Sequence, residues 1–131
     1  MNLVVDTSVI IAVIANEPEK AALIDATKGF DLIAPMSVHW EIGNAFSAML
    51  KRSRITLPQA VAAIEIYEQL ALKLVEVDLK QAIGYSSQLK IYAYDAYLIT
   101  CALTQRCALV TLDGGLSYAA KVAGVSVVEV M

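Results

Sequence analysis

The sequence predicts an α/β protein with a central, mainly parallel sheet that is covered by helices on both faces. Short runs of β-branched and other apolar residues alternate along the chain with longer segments whose apolar residues recur at helical spacing. This alternation is typical of parallel sheets, because each crossover between parallel strands places a helix on one face. With 131 residues, no internal repeat and no Pro- or Ser-rich linker, the chain is expected to form one domain, 1–131.

Five segments are predicted to be strands because apolar and β-branched residues follow one another without helical spacing. In chain order these segments are Leu3–Val5, Leu32–Ala34, Leu74–Val77, Ala108–Leu112 and Val125–Val130. The segments between them are long enough for helices, so the pattern predicts repeated strand-helix units.

Capping residues and glycines indicate where the helices begin and end. Thr56 and Gln59 are three residues apart and form a capping box, with Pro58 in the first turn. Two other helix starts are predicted at Asn16 with Pro18 and at Ser37 before Val38. Glycines expected mostly at the ends of helices or turns are Gly29, Gly84, Gly114, Gly115 and Gly124, whereas Gly43 is expected inside a helix.

Composition limits the class of protein. Hydrophobic residues make up 58% of the chain, against about 45–50% in ordinary globular domains, so part of the apolar surface is expected in a subunit interface. Charged residues interrupt the apolar runs, whereas a membrane span needs about 20 apolar residues in succession. We therefore expect no transmembrane helix. The amino terminus resembles no secretory signal, which predicts a cytoplasmic location.

The cysteines and the net charge are less informative. Cys101 and Cys107 are expected to be reduced thiols on different faces of one helix, with Cys101 in the core, because their spacing matches no metal or redox motif. The net charge of −3 is unusual for a nucleic-acid-binding protein, since affinity for phosphate usually comes from Lys and Arg. A local basic patch or a bound metal ion would have to supply that contact.

Two acidic residues directly follow predicted strands. Asp6 follows Leu3–Val5, and Asp113 follows Ala108–Leu112. In open parallel sheets the carboxyl ends of the strands form the edge where ligands bind. Both positions also have a purely structural explanation, because Asp is a good helix cap and Asp-Gly is a common turn pair.

Two further acidic residues belong to predicted helices. Asp95 opens the helix that follows it, where the helix dipole favours a carboxylate without any ligand. Glu41 lies within a helix from Val38 to about Ser53 and borders its apolar stripe. A charge in that place needs a partner, of which a cation is one, unless the side chain reaches water at the edge of the stripe.

The four carboxylates of Asp6, Glu41, Asp95 and Asp113 can converge at one end of the sheet. Packed closely they would raise one another's pKa, and such clusters usually persist by coordinating a cation. Oxygen ligands favour Mg²⁺ or Mn²⁺, while the lack of a His or Cys cluster argues against zinc. A hard cation held by carboxylates supports hydrolysis of phosphodiesters. Side chains that could orient the carboxylates or water, or simply cap helices, are Thr7, Ser8 and Thr111.

Four segments of the chain contain these acids. They are Val4-Val5-Asp6-Thr7-Ser8-Val9-Ile10, Glu41-Ile42-Gly43-Asn44-Ala45, Tyr94-Asp95-Ala96-Tyr97-Leu98-Ile99 and Leu109-Val110-Thr111-Leu112-Asp113. In this order and spacing they resemble the motifs of PIN-domain ribonucleases, in particular the VapC-type toxins of bacterial and archaeal toxin–antitoxin pairs. The resemblance covers essentially the whole chain.

The resemblance implies a three-layer α/β/α PIN-like fold, cleavage of RNA with Mg²⁺ or Mn²⁺, a homodimer and inhibition by a cognate antitoxin protein. Asp6, Glu41, Asp95 and Asp113 carry over as metal ligands and catalytic residues, and Asn44 as a lesser residue of the pocket. Some relatives have another acidic residue shortly after the fourth, where this chain has Gly114-Gly115-Leu116-Ser117. This departure leaves a second metal position open.

A basic segment ends the helix that carries Glu41. Lys51, Arg52 and Arg54 are candidates to contact the RNA backbone. Cations at the carboxyl end of a helix are also favoured by the helix dipole, so the segment has an ordinary structural explanation.

Aromatic residues surround Asp95. Tyr92, Tyr94 and Tyr97 could stack on unpaired bases, although packing in the core or in a dimer interface is the more ordinary explanation. His39 is the only histidine and is expected to be an ordinary helix or surface residue, because no nucleophile motif accompanies it.

Two other functions fit part of the pattern. A phosphoacceptor receiver module also places carboxylates and Mg²⁺ at the carboxyl end of a parallel sheet, but it requires paired acids after the first strand and a Lys after a late one. Asp6 stands alone, and no Lys ends a late strand. A catalytically silent PIN-like domain would only bind RNA or protein, and the presence of all four acids argues against it.

Overall fold

The computed structural model describes residues 1–130 of the chain. Within this range, four short strands alternate with seven helices. In chain order the elements are β1 (Asn2–Val5), α1 (Thr7–Ile14), α2 (Lys20–Thr27), β2 (Asp31–Pro35), α3 (Ser37–Lys51), α4 (Leu57–Glu68), β3 (Leu72–Val75), α5 (Leu79–Leu89), α6 (Ala93–Gln105), β4 (Ala108–Val110) and α7 (Gly114–Val122).

β1 lies inside a sheet of order β3-β2-β1-β4, in which every neighbouring pair is parallel. Leu3 pairs with Leu32 on one side and with Ala108 on the other. Leu3 and Val4 are completely buried, as expected for a central parallel strand that helices cover on both faces. The predicted α/β class with a parallel sheet in a three-layer α/β/α arrangement is confirmed.

The prediction that Val125–Val130 forms a fifth strand is wrong. Only Val127 forms a bridge, parallel to Leu109 of β4, and the Val128 amide donates to the Leu109 carbonyl at 2.8 Å. The ladder does not extend because β4 ends at Val110 and the Leu112 amide donates to the Ser8 hydroxyl instead. A run of β-branched residues without a long enough neighbour does not form a strand.

Two helix starts agree with their sequence signals, and one does not. The Thr56–Gln59 capping box is present, and α3 begins at Ser37. α2 begins at Lys20 rather than at Asn16. Asn16 has a φ of 56°, the left-handed conformation that Asn tolerates, and follows the end of α1. Asn16 therefore ends one helix instead of starting the next.

Some of the predicted glycine positions agree with the structure and others do not. Gly29 and Gly124 follow α2 and α7 with φ of 83° and 90°, where only a glycine avoids strain. Gly84 lies inside α5, and Gly114 and Gly115 begin α7 rather than ending an element. Gly43 lies within α3 as predicted.

Cys101 and Cys107 do not share one helix. Cys101 is buried in α6, whereas Cys107 lies two residues beyond its end, because Arg106 takes the left-handed conformation that terminates the helix. Both thiols are free. No helix in the described part of the chain is long and apolar enough to cross a membrane.

Candidate active site at the carboxyl edge of the sheet

Asp6 and Asp113 lie at one edge of the sheet because β1 and β4 are parallel neighbours and each acid follows its strand. Asp6 is the N-cap of α1, and Asp113 is the N-cap of α7. Asp95 lies in the first turn of α6, and Glu41 is the fifth residue of α3. Strand ends and helix starts thus carry Asp6, Asp95 and Asp113, whereas Glu41 lies one turn inside its helix.

Asp6 is the most deeply buried of the four, with 4% of its surface exposed. One carboxylate oxygen, Oδ1, accepts from the Ser8 hydroxyl at 2.7 Å and from the Val9 amide at 3.1 Å. The other oxygen, Oδ2, accepts from the Thr111 hydroxyl. A carboxylate offers about four lone-pair sites, so these three donors fix its orientation and leave room for one further ligand.

Two hydroxyls connect the loops that carry Asp6 and Asp113. Thr111 Oγ1 donates to Asp6 and also accepts from the Asp113 amide at 2.9 Å. Ser8 Oγ donates to Asp6 and accepts from the Leu112 amide at 3.1 Å. The predicted supporting positions of Thr111 and Ser8 therefore agree with their hydrogen bonds, which hold the ends of β1 and β4 in register.

Asp113 is exposed, and its carboxylate caps α7. Oδ1 accepts from the Gly115 amide at 2.9 Å and from the Leu116 amide at 3.2 Å. The two glycines were expected at a turn, and here they let the chain enter the helix beside that carboxylate. Asp113 is therefore a helix cap, as one of the two sequence interpretations held. Only Oδ1 takes part in the cap, and Oδ2 does not.

The carboxylates lie close enough to affect one another's ionisation. Burial, and then the charge of Asp113, raise the pKa of Asp6 against the lowering effect of its hydrogen bonds from Thr111, Ser8 and Val9. Burial and the charges of Asp113 and Asp6 raise the pKa of Asp95. Burial and the charges of Asp6 and Asp95 raise the pKa of Glu41 to about 7. Each acid is thus near at least two of the others.

Glu41 has a buried oxygen that lacks a partner. Oε1 is shielded from water and makes no hydrogen bond within residues 1–130. The Thr7 hydroxyl is near enough to lower the pKa of Glu41, yet Thr7 Oγ1 is itself buried and does not reach hydrogen-bonding geometry with any described residue. A buried acceptor without a partner costs about 1–3 kcal/mol, and a cation is the ligand that would satisfy it.

The donor set fits a hard divalent cation, because it consists of carboxylate and hydroxyl oxygens. No three Asp, Glu, His or Cys side chains of the described chain already meet as a ready-made ligand group. To complete a metal site, the exposed Asp113 and the partly buried Asp95 would have to turn toward Asp6, whose hydrogen bonds fix it.

The structure places the other predicted residues farther from the acids. Asn44 is exposed on α3, one turn beyond Glu41. Lys51, Arg52 and Arg54 are exposed at the carboxyl end of that helix, and Lys51 is ten residues from Glu41, about 15 Å along the axis. The basic segment is therefore separate from the acidic pocket.

The aromatic residues near Asp95 are not core residues. Tyr92 and Tyr94 are 88% and 57% exposed, and Tyr94 packs edge-on against Tyr97 with ring centroids 5.9 Å apart. His39 Nδ1 is 2.9 Å from the Tyr67 hydroxyl. The histidine thus links α3 to α4, as expected for an ordinary helix residue.

A groove at the carboxyl end of β2 was not predicted from the sequence. It has a volume of about 180 Å³ and is lined by Pro35, Met36, Ser37, Val77, Leu79 and Tyr97. Ser37 was recognised only as a helix start. The sequence offered one signal for this groove, a serine at the start of a helix. Hydroxyls in that place usually cap the helix, but the Ser37 hydroxyl makes no cap hydrogen bond and has no partner among the described residues.

The fold and the carboxylate edge together define an α/β protein with an acidic pocket at the ends of parallel strands. A family model described as PIN domain matches residues 3–122. The chain therefore belongs to the PIN domain family, which confirms the family predicted from the four motifs and argues against the receiver module.

Solved structures support the same fold. PAE2754 from Pyrobaculum aerophilum superposes with a TM-score of 0.74 at 20% identity, covering 97% of this chain and 83% of that one. VapBC2 from Rickettsia felis, bound to a DNA fragment from its promoter, gives 0.65 at 14% identity, covering 97% of each chain. VapC20 from Mycobacterium tuberculosis, described as a toxin that cleaves the sarcin-ricin loop, gives 0.64 at 19% identity, covering 89% and 94%. No curated protein matches the chain.

Proposed function

We propose that this protein is a metal-dependent endoribonuclease of the VapC type, acting as the toxin of a toxin–antitoxin pair. The observation that carries the proposal is the group of four carboxylates at the carboxyl edge of the sheet, among which Glu41 buries an oxygen that has no partner in the described residues. Similarity to VapBC2 and VapC20 supports it at the level of the fold.

In this proposal Asp6, Glu41, Asp95 and Asp113 hold Mg²⁺ or Mn²⁺. The bound ion supplies a water of lowered pKa and neutralises charge on the phosphodiester. Asp6 is held by Thr111 and Ser8, so it forms the fixed point of the pocket. Asn44, one turn from Glu41, lines the approach to the pocket, and the Thr7 hydroxyl, which lies near Glu41 without a hydrogen bond to it, is available to orient that carboxylate when it binds the ion.

The acidity of the pocket makes metal a condition for RNA binding. An empty cluster of carboxylates repels phosphate, whereas bound cations offset that charge and give the phosphate a positive ligand. The exposed Lys51, Arg52 and Arg54 supply salt-dependent contacts to the RNA backbone at a distance from the cleaved bond.

Partners follow from the same proposal. The chain has an excess of hydrophobic residues and exposes several large apolar side chains, among them Trp40, Leu57, Leu79 and Val122. Exposed apolar surface of this kind favours contact with other proteins, here a second copy of the chain and a cognate antitoxin protein. A toxin acting on cellular RNA operates in the cytoplasm, and we propose that location with a single PIN domain spanning 1–131.

Cleavage of RNA by matched Asp variants tests the proposal. We expect wild type to cut unstructured RNA with Mg²⁺ or Mn²⁺ and not with chelator, and Asp6→Asn to reduce kcat/KM by at least about 100-fold. Asp25→Asn, an exposed position on α2, is the control and should cut like wild type. If the wild-type protein cuts no RNA with either metal, the proposed nuclease activity is wrong. The remaining interpretation is then a catalytically silent domain that only binds RNA or protein.

A further inference from the structure

We propose that Ser37 is a positioning residue for Glu41, and that it acts through an ordered water molecule shared with the Thr7 hydroxyl. This inference rests on the proposed nuclease function, because it concerns how one of the proposed metal ligands is held. It goes beyond that function by giving a role to Ser37, which lies outside the group of four acids.

Buried polar atoms without a partner are concentrated around Glu41. Among the described residues, buried side-chain oxygens that make no hydrogen bond belong to Thr7, Ser37, Glu41 and Thr100. Native proteins pair nearly all buried polar atoms with protein groups or with ordered water. Three of these four residues lie close together at the carboxyl edge of the sheet, so one shared partner can satisfy them.

The sheet brings Thr7 and Ser37 together. β1 and β2 are parallel neighbours, which lie about 4.8 Å apart in such sheets. Their register pairs Val4 with Ile33, so β2 extends one residue beyond the end of β1. Thr7 begins α1 and Ser37 begins α3, each two residues after its strand ends. The two hydroxyls therefore belong to adjacent helix starts at nearly the same level.

Glu41 lies close to both hydroxyls. It follows Ser37 by four residues in α3, so the two side chains share one face of the helix, with Cβ atoms about 6 Å apart. The Thr7 hydroxyl is near enough to lower the pKa of Glu41, yet no hydrogen bond joins them. Polar groups that lie near one another without direct hydrogen bonds are commonly bridged by water.

Water satisfies these groups better than a cation alone. A hydroxyl has a hydrogen to donate as well as lone pairs, and a cation accepts no hydrogen bond. One water accepts from Thr7 and Ser37 and donates to Glu41 Oε1, which gives it three of the two to four polar partners that a buried water typically has. Glu41 can still bind an ion, because a carboxylate has about four lone-pair sites.

The shared water gives Glu41 the kind of support that Asp6 already has. Asp6 accepts directly from the Ser8 and Thr111 hydroxyls, whereas Glu41 accepts from no described residue. Hydrogen bonds to a metal-binding carboxylate fix its orientation, and losing one typically lowers metal affinity about 10- to 100-fold. Ser37 thus affects metal binding without touching the ion.

A crystal structure of the metal-free protein, at a resolution that shows ordered water, tests the inference without any measurement of activity. We expect one water within about 3 Å of Thr7 Oγ1, Ser37 Oγ and Glu41 Oε1. A Ser37 hydroxyl that donates directly to a protein acceptor, with no water between these oxygens, would overturn the inference.

Mn²⁺ binding by matched variants measures the effect on Glu41. We expect Ser37→Ala to weaken binding about tenfold in calorimetry, and Ser37→Thr, which keeps the hydroxyl, to restore it. Thr100→Val is the control, because Thr100 also buries an unpaired hydroxyl but lies in α6 with 1% of its surface exposed. It should bind Mn²⁺ like wild type. Urea unfolding verifies that each variant is folded.

A double variant tests whether the two hydroxyls act through one water. Thr7→Val should weaken Mn²⁺ binding about as much as Ser37→Ala does. Residues that share one hydrogen-bond network are not additive, so the double variant should lose less affinity than the product of the two single losses. Losses that multiply would mean that the hydroxyls act independently, which contradicts a shared water.

The outcomes separate this inference from the proposed function. If Ser37→Ala binds Mn²⁺ and cuts RNA like wild type, Ser37 does not position Glu41, although the nuclease stands. If Thr100→Val weakens binding as much as Ser37→Ala, the effect is common to buried hydroxyls and the inference is wrong. If wild type cuts no RNA, the proposed function has failed, while the crystal structure and the Mn²⁺ affinities still decide the role of Ser37.

Discussion

Replacement of Glu41 by Gln is expected to stabilise the metal-free protein at alkaline pH. The pKa of Glu41 rises from 4.5 to about 7 because of burial and the charges of Asp6 and Asp95. The difference is about 2.5 pKa units, and one unit corresponds to about 1.4 kcal/mol, which gives an upper limit of about 3.5 kcal/mol. Because Glu41 is partly exposed, solvent screening reduces the expected gain to about 1–2 kcal/mol.

The pH range follows from the direction of this shift. A carboxyl with a raised pKa binds its proton more tightly in the folded state, so its ionisation opposes folding. The destabilisation is complete above pH 7, decreases as the pH falls from about 7 to about 4.5, and is absent below that. Glu41→Gln should therefore raise the free energy of unfolding at pH 8 and change it little at pH 4.5.

Urea unfolding in the presence of chelator measures this effect, with Glu65→Gln, an exposed position on α4, as the control. With Mg²⁺ added the order should reverse, because a cation that binds only the folded state stabilises wild type and the Gln variant lacks one ligand. A Gln variant that is less stable than wild type at pH 8 without metal, or equally changed at both pH values, would refute the reasoning.

Three further substitutions separate structural from functional roles. Thr111→Val removes the donor to Asp6 and should weaken Mg²⁺ binding about 10- to 100-fold in calorimetry; Thr111→Ser should restore it, and equal affinities would exclude the orienting role. Asp113→Asn keeps a good N-cap, so the melting temperature should change little while RNA cleavage falls; a large drop in melting temperature would mean that the charge serves the fold. Thr56→Ala breaks the capping box and should cost about 1 kcal/mol in urea unfolding without affecting cleavage.

The sequence predicts the parts of this molecule in which local signals and tertiary structure agree. β1 is apolar from Leu3 to Val5, so the burial of these residues and the position of Asp6 at the carboxyl end of the strand followed from pattern alone. Thr56 and Gln59 specify a helix start by their own side chains. The acids could be placed at strand ends and helix starts because those ends are marked in the sequence.

Other features depend on neighbours that a local pattern does not contain. Val125–Val130 has the composition of a strand, yet its partner β4 is only three residues long. Gly114 and Gly115 favour a turn locally, but the carboxylate of Asp113 accepts hydrogen bonds from the Gly115 and Leu116 amides, and a helix begins there. The groove lined by Pro35, Ser37, Leu79 and Tyr97 joins residues from β2, α3, α5 and α6, which no single stretch of sequence reveals.

Capping and metal binding are compatible roles for the same acids. Asp6 and Asp113 each follow a strand and cap a helix, and Asp95 lies in a first turn, so the positive end of a helix dipole supports each carboxylate ion without a metal. These three positions are consistent with a purely structural protein. Glu41 lies beyond the first turn of α3, gains no cap and buries an oxygen that has no partner among the described residues. A structural role therefore accounts for three of the four acids and not for Glu41, which is why the proposed metal site depends on Glu41 most.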